Sequence, residues 1–88
     1  MNNQQSIDAI QHQIDELSTL GSTLDTEKKQ LTRLRAYNEQ KMLDGEDCLL
    51  EDFLDLSTQI FSVIQCLARL DKQIDEHENM IADLERLT

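Results

Sequence analysis

The chain has no proline, no tryptophan, two glycines and three aromatic residues (Tyr37, Phe53 and Phe61) in 88 positions. Without proline and nearly without glycine it lacks the punctuation of short strands and tight turns, which argues against sandwiches, barrels and doubly wound sheets. Three aromatics are too few for the thick interior of a globular domain. No apolar run approaches the ~20 residues that span a bilayer, and Met1 to Ser6 is polar and uncharged rather than basic and then apolar. The expectation is a cytoplasmic chain with no signal peptide and no transmembrane segment. Cys48 and Cys66 fall on one expected helix, ~27 Å apart at ~1.5 Å per residue and beyond disulfide reach, which suits a reducing compartment.

Positive charge is the other scarcity. Eight Lys and Arg stand against eighteen Asp and Glu, a formal charge of −10. Phosphate binding draws on cations, so direct nucleic-acid binding is not expected, nor is attachment to an anionic membrane surface. The hydrophobic fraction of 39% separates the chain from disordered sequences. The charge is uneven: residues 1 to 43 hold six acids and five bases, net −1, whereas residues 44 to 88 hold twelve and three, net −9.

Between the halves lies Leu43-Asp44-Gly45-Glu46-Asp47-Cys48, where a glycine meets potential capping residues. Gly45 suits the left-handed position after a helix, and Asp44 or Asp47 can cap the next one. The expected architecture is all-α: a single helical hairpin over 1–88, with helix 1 at about 4–43, a turn at about 44–47 and helix 2 at about 48–87. In helix 1 a 3-4 repeat runs through Ile7, Ile10, Ile14, Leu17, Gly21, Leu24, Lys28, Leu31, Arg35, Asn38 and Met42. In helix 2 it runs through Leu49, Phe53, Leu56, Ile60, Val63, Leu67, Leu70, Ile74, His77, Ile81 and Leu84. Numbers of facing residues in an antiparallel coiled coil have a constant sum. Setting Met42 against Leu49 fixes that sum at 91, and every seam position then meets another, from Asn38 with Phe53 to Ile7 with Leu84.

A lone two-helix hairpin is marginal, because ordering costs ~1.5 kcal/mol per residue and a single seam recovers less. A further contact is therefore expected, giving a four-helix bundle or a hetero-complex. The candidate surface is a second apolar stripe on helix 2, Leu50, Leu54, Phe61, Ile64 and Ala68, with Ala36 and Leu43 on the adjoining flank of helix 1. Leu20, Leu34, Cys66, Met80 and Leu87, on the opposite flank, are expected to broaden the core. Lys28 and Arg35 are unusual seam members. Their stems are expected to cover Val63 and Leu56 while their heads reach Asp52 or Asp55, and they are candidates for fixing register. Burial of His77 against Ile14 would make the open end acid-sensitive.

Chemistry is hard to place on such a rod. No glycine-rich phosphate loop or nucleophile-base-acid pattern occurs, and no catalytic, cofactor or metal site is expected. Asp8, His12 and Glu16 follow at i, i+4 spacing, a weak metal pattern. The chain lacks the Trp-x-Gly turn of one class of secreted hairpins, the turn prolines of secretion-needle subunits and the strands of prefoldin-like hairpins. The functional expectation is a non-enzymatic interaction module, an adaptor, chaperone or assembly subunit, that self-associates as a homodimer or joins a different protein. The alternative rests on an acidic patch of Asp44, Glu46, Asp47, Glu51, Asp52 and Asp55 with no Lys or Arg among them. Such a patch can mimic nucleic-acid phosphate and block a basic cleft, as small phage-encoded inhibitors can.

Overall fold

A computed structural model of the chain describes residues 3–45 and 50–87. Two helices, α1 (Asn3–Leu43) and α2 (Leu50–Arg86), pack side by side as a hairpin, and no strand occurs among the described residues. Neither helix is long and apolar enough to cross a membrane. The rod measures 66 × 14 × 14 Å, the breadth of two helices and no more.

Leu, Gln, Glu, Lys and Arg favour the helix along both segments. Thr19, Thr23, Thr26, Thr32, Ser57 and Thr58 turn their hydroxyls back to carbonyls four residues earlier, as Thr19 does to Asp15 at 3.0 Å and Ser57 to Phe53 at 2.9 Å, which keeps these polar groups satisfied within the helix. Helix α1 ends at a left-handed glycine. Gly45 has φ 81°, and its N–H donates to the Met42 carbonyl at 3.1 Å, the bond expected of a residue just past a helix C-terminus. Lys41 lies in the last turn of α1 and Glu51 and Asp52 in the first turn of α2, each complementing the nearby end of a helix dipole. The Asp44 carboxylate accepts from the Gln40 side chain, a contact back onto α1, and Asp47 lies outside the described residues.

Every described position of the two 3-4 repeats is buried or half-buried. Ile14, Ile60, Val63 and Leu70 are the buried members, and among the described residues no side chain falls below 2% exposure. Contacts between the helices run from Arg35 over Phe53, near the turn, to Gln13 with His77, towards the open end. Leu49, the expected partner of Met42, lies outside the described residues.

Candidate protein-interaction surface

The seam fixes what is left over. Ile60, Val63 and Leu70 point at α1, so residues one register aside on α2 turn away from it. Leu50 is 59% exposed, Leu54 54%, Phe61 61% and Ile64 43%, and Ala68 is exposed beside them. Spaced by four, seven, three and four residues, they share one side of α2 over 18 residues, ~27 Å of helix. On α1, Ala36 is exposed and Leu43 is 75% exposed. They repeat the heptad register of Ser22, which lies across a groove from Ile64 and Ala68.

That groove is a feature sequence reasoning missed. It is open, has a volume of ≈ 790 Å³, and is lined from α1 by Ser18, Gly21, Ser22 and Asp25, and from α2 by Ile64, Ala68 and Asp71 among others. Small side chains at 18, 21 and 22 create it, and a Cβ built on Gly21 meets nothing within 4 Å. The signal was present in the sequence as a glycine at a seam position beside two serines.

Lys28 and Arg35 are half-buried, and among the described residues neither forms an ion pair with Asp52 or Asp55. The Arg35 guanidinium sits 5.0 Å from the Phe53 ring centroid, while Lys28 lines the groove at Gly21. A guanidinium over an aromatic face gains attraction without the desolvation a buried ion pair requires. Asp52 and Asp55 instead line a shallow hollow with Leu34 and Asn38 on the far side of the rod.

The opposite flank corrects a second expectation. Leu20, Leu34, Met80 and Leu87 are each about half or more exposed, and Cys66 is an exposed free thiol, so these residues do not broaden the core. Two helices touch along one seam, and a rod 14 Å across has no third layer to cover a flank. Tyr37 is exposed as well, with the Lys41 ammonium 4.7 Å from its ring centroid.

His77 is half-buried, and both its ring nitrogens have oxygen neighbours. Nδ1 lies 2.6 Å from the Gln73 carbonyl, to which its N–H donates. Nε2 lies 3.0 Å from Oε1 of the Gln13 side chain. The apolar burial behind the expected acid sensitivity is absent.

Of the acidic patch, Asp44, Glu51, Asp52 and Asp55 are exposed around the turn end of the rod, whereas Glu46, Asp47 and the nearby Cys48 lie outside the described residues. Asp8, His12 and Glu16 are not drawn together: His12 Nε2 pairs with Glu16 at 3.0 Å while Asp8 accepts from Gln4 at 2.9 Å. No three metal-ligating side chains converge among the described residues. What the arrangement offers is a long apolar stripe and an adjoining groove on one side of a charged rod. No protein-family model, curated protein or solved structure matches the chain.

Proposed function

We propose that the chain is a non-enzymatic interaction module: an antiparallel coiled-coil hairpin that completes its core by assembling, in a four-helix bundle or a hetero-complex, through the Leu50, Leu54, Phe61, Ile64 face of α2. Adaptor, chaperone and assembly subunit are the roles such an object performs. One observation carries the reading. A compact monomer of this mass exposes about 5,300 Å² by the surface-to-mass relation, whereas the hairpin exposes 6568 Å². The excess, on the order of 1,200 Å², is more than the ~800 Å² that each partner gives to a standard interface.

Covering the exposed parts of Leu43, Leu50, Leu54, Phe61 and Ile64 recovers about 1 kcal/mol each, since full burial of such a side chain is worth ~1.5 to 3 kcal/mol. That total is comparable to the lower range of association costs, so the stripe supports a reversible contact. Light scattering combined with Nile red, an uncharged probe of apolar surface, tests the reading. The wild-type chain is expected either to exceed the mass of one copy or to bind the dye, and Phe61→Asp to lose whichever property is seen. A folded single copy that binds no dye and is indifferent to Phe61→Asp contradicts it.

A further inference from the structure

Building on the face just proposed, we infer that its occupant is a cationic amphipathic helix from a different protein rather than a second copy of this chain. Charge decides between them. Along the two registers of α2 that make the stripe, Leu50, Leu54, Ser57, Phe61, Ile64 and Ala68 give way to Asp71, Asp75 and Glu78, and no Lys or Arg interrupts the series. All three of those acids are exposed. The turn end is closed in the same way. Exposed Glu51 precedes Leu54 by three residues, Glu39 follows Ala36 by three and precedes Leu43 by four, and Asp44 follows directly. Three bases stand near these acids: Lys28 lines the groove with Ile64 and Ala68, Lys29 is paired with Asp25 at 3.2 Å, and exposed Lys72 follows Asp71 in α2. The stripe is thus apolar in the middle, with acids outnumbering bases at both ends.

A second copy meets this pattern badly in either symmetric arrangement. With the α2 helices opposed, the apolar match of Leu50 to Ala68 and Leu54 to Ile64 fixes a constant sum of 118. That register lays the Asp71 and Asp75 end of each copy against the other's turn end, with its Asp44 and Glu51. With the helices running the same way, each acid faces its own counterpart, Asp71 to Asp71 and Asp75 to Asp75. Two chains of −10 each add a general repulsion to both arrangements.

A foreign helix of opposite charge meets the pattern well. Its apolar residues, at spacings of three and four, cover the ~27 Å from Leu50 to Ala68, and Lys or Arg in its first and last turns meet the two acidic ends. The groove at Gly21 continues the seat beyond Ile64, where small side chains on α1 let a neighbouring backbone approach. A ligand of about 20 to 25 residues spans the stripe and both acidic ends at ~1.5 Å per residue.

The test uses the full chain and three labelled 22-residue peptides with the same leucine face, carrying Lys, Gln or Glu in the terminal turns, read by fluorescence anisotropy and by the gain in helical circular dichroism. The Lys peptide is expected to bind as a helix, at least about tenfold tighter than the Gln peptide, with the Glu peptide weakest. Asp71→Lys with Asp75→Lys is expected to erase most of that preference while leaving Gln-peptide binding in place, and Phe61→Asp to weaken all three. Equal binding of the three peptides overturns the inference, as does tight binding that Phe61→Asp does not affect. A wild-type dimer dispersed by Phe61→Asp overturns the inference while leaving the proposed interaction face intact. A single copy that binds no peptide and no apolar probe removes both.

Discussion

The two glycines support a prediction in which one chemical change has opposite signs. Gly21 lies inside α1, where glycine costs ~0.8 to 1 kcal/mol relative to alanine because its backbone loses more freedom on folding. A Cβ there meets nothing within 4 Å, so no clash offsets the gain. The added methyl projects into open space, so the gain is that of backbone freedom alone. Gly21→Ala is therefore expected to stabilise the hairpin by about 0.8 to 1 kcal/mol. In a domain of this size that raises the melting temperature by roughly 3 to 8 °C. Gly45 has equal space around it but φ 81°, where an L-residue pays ~1 to 2 kcal/mol. Gly45→Ala is expected to lower the melting temperature by roughly 5 to 15 °C. Helical circular dichroism followed against temperature at one fixed protein concentration measures both, because association would make the midpoint depend on concentration. A Gly21→Ala variant less stable than wild type, or a Gly45→Ala variant more stable, refutes the reasoning on seam and turn.

Three further predictions concern the seam. Replacing Lys28 and Arg35 together by leucine gives up the Arg35–Phe53 contact, worth ~0.5 to 1 kcal/mol, and extends the apolar repeat opposite Val63 and Leu56, so urea denaturation should show a net gain of about 1 to 2 kcal/mol. A loss of stability, or a changed mass in light scattering, would instead assign these cations to register. Ile60→Ala should cost about 2 to 4 kcal/mol and Leu54→Ala under about 1 kcal/mol in a dilute single copy, although both residues sit on α2, because only Ile60 is buried. Equal losses in urea would contradict the assigned seam. His77→Leu should raise the melting temperature, since both groups it bonds remain within reach of water, and a fall would show that the Gln13 contact organises the open end.

Helices and seam were legible because period and punctuation agree: unbroken repeats on either side, with a glycine where they stop. The constant sum of 91 located the neighbours of Phe53 and His77 to within a few positions, since a seam of two rods leaves little freedom of register. Direction of a long side chain was less legible. Arg35 lies between an aromatic ring and two nearby acids, and a repeat cannot say which it chooses. Exposure of Leu20, Leu34 and Met80 was misread because apolar character alone does not reveal whether a second layer exists to cover it. The groove at Gly21 went unread because it is a property of what small residues leave empty.

The central claim is that the Phe61 face of α2, and not the Met80 flank, is covered when the protein works. Photo-cross-linking in the native host measures this directly, with a benzophenone side chain placed either at position 61 or at position 80, both half-exposed in the isolated hairpin. The account predicts a discrete cross-linked species from position 61 that disappears when Leu54→Asp is added, and only background from position 80. Cross-linking from position 80 alone, or from both positions equally, would contradict it.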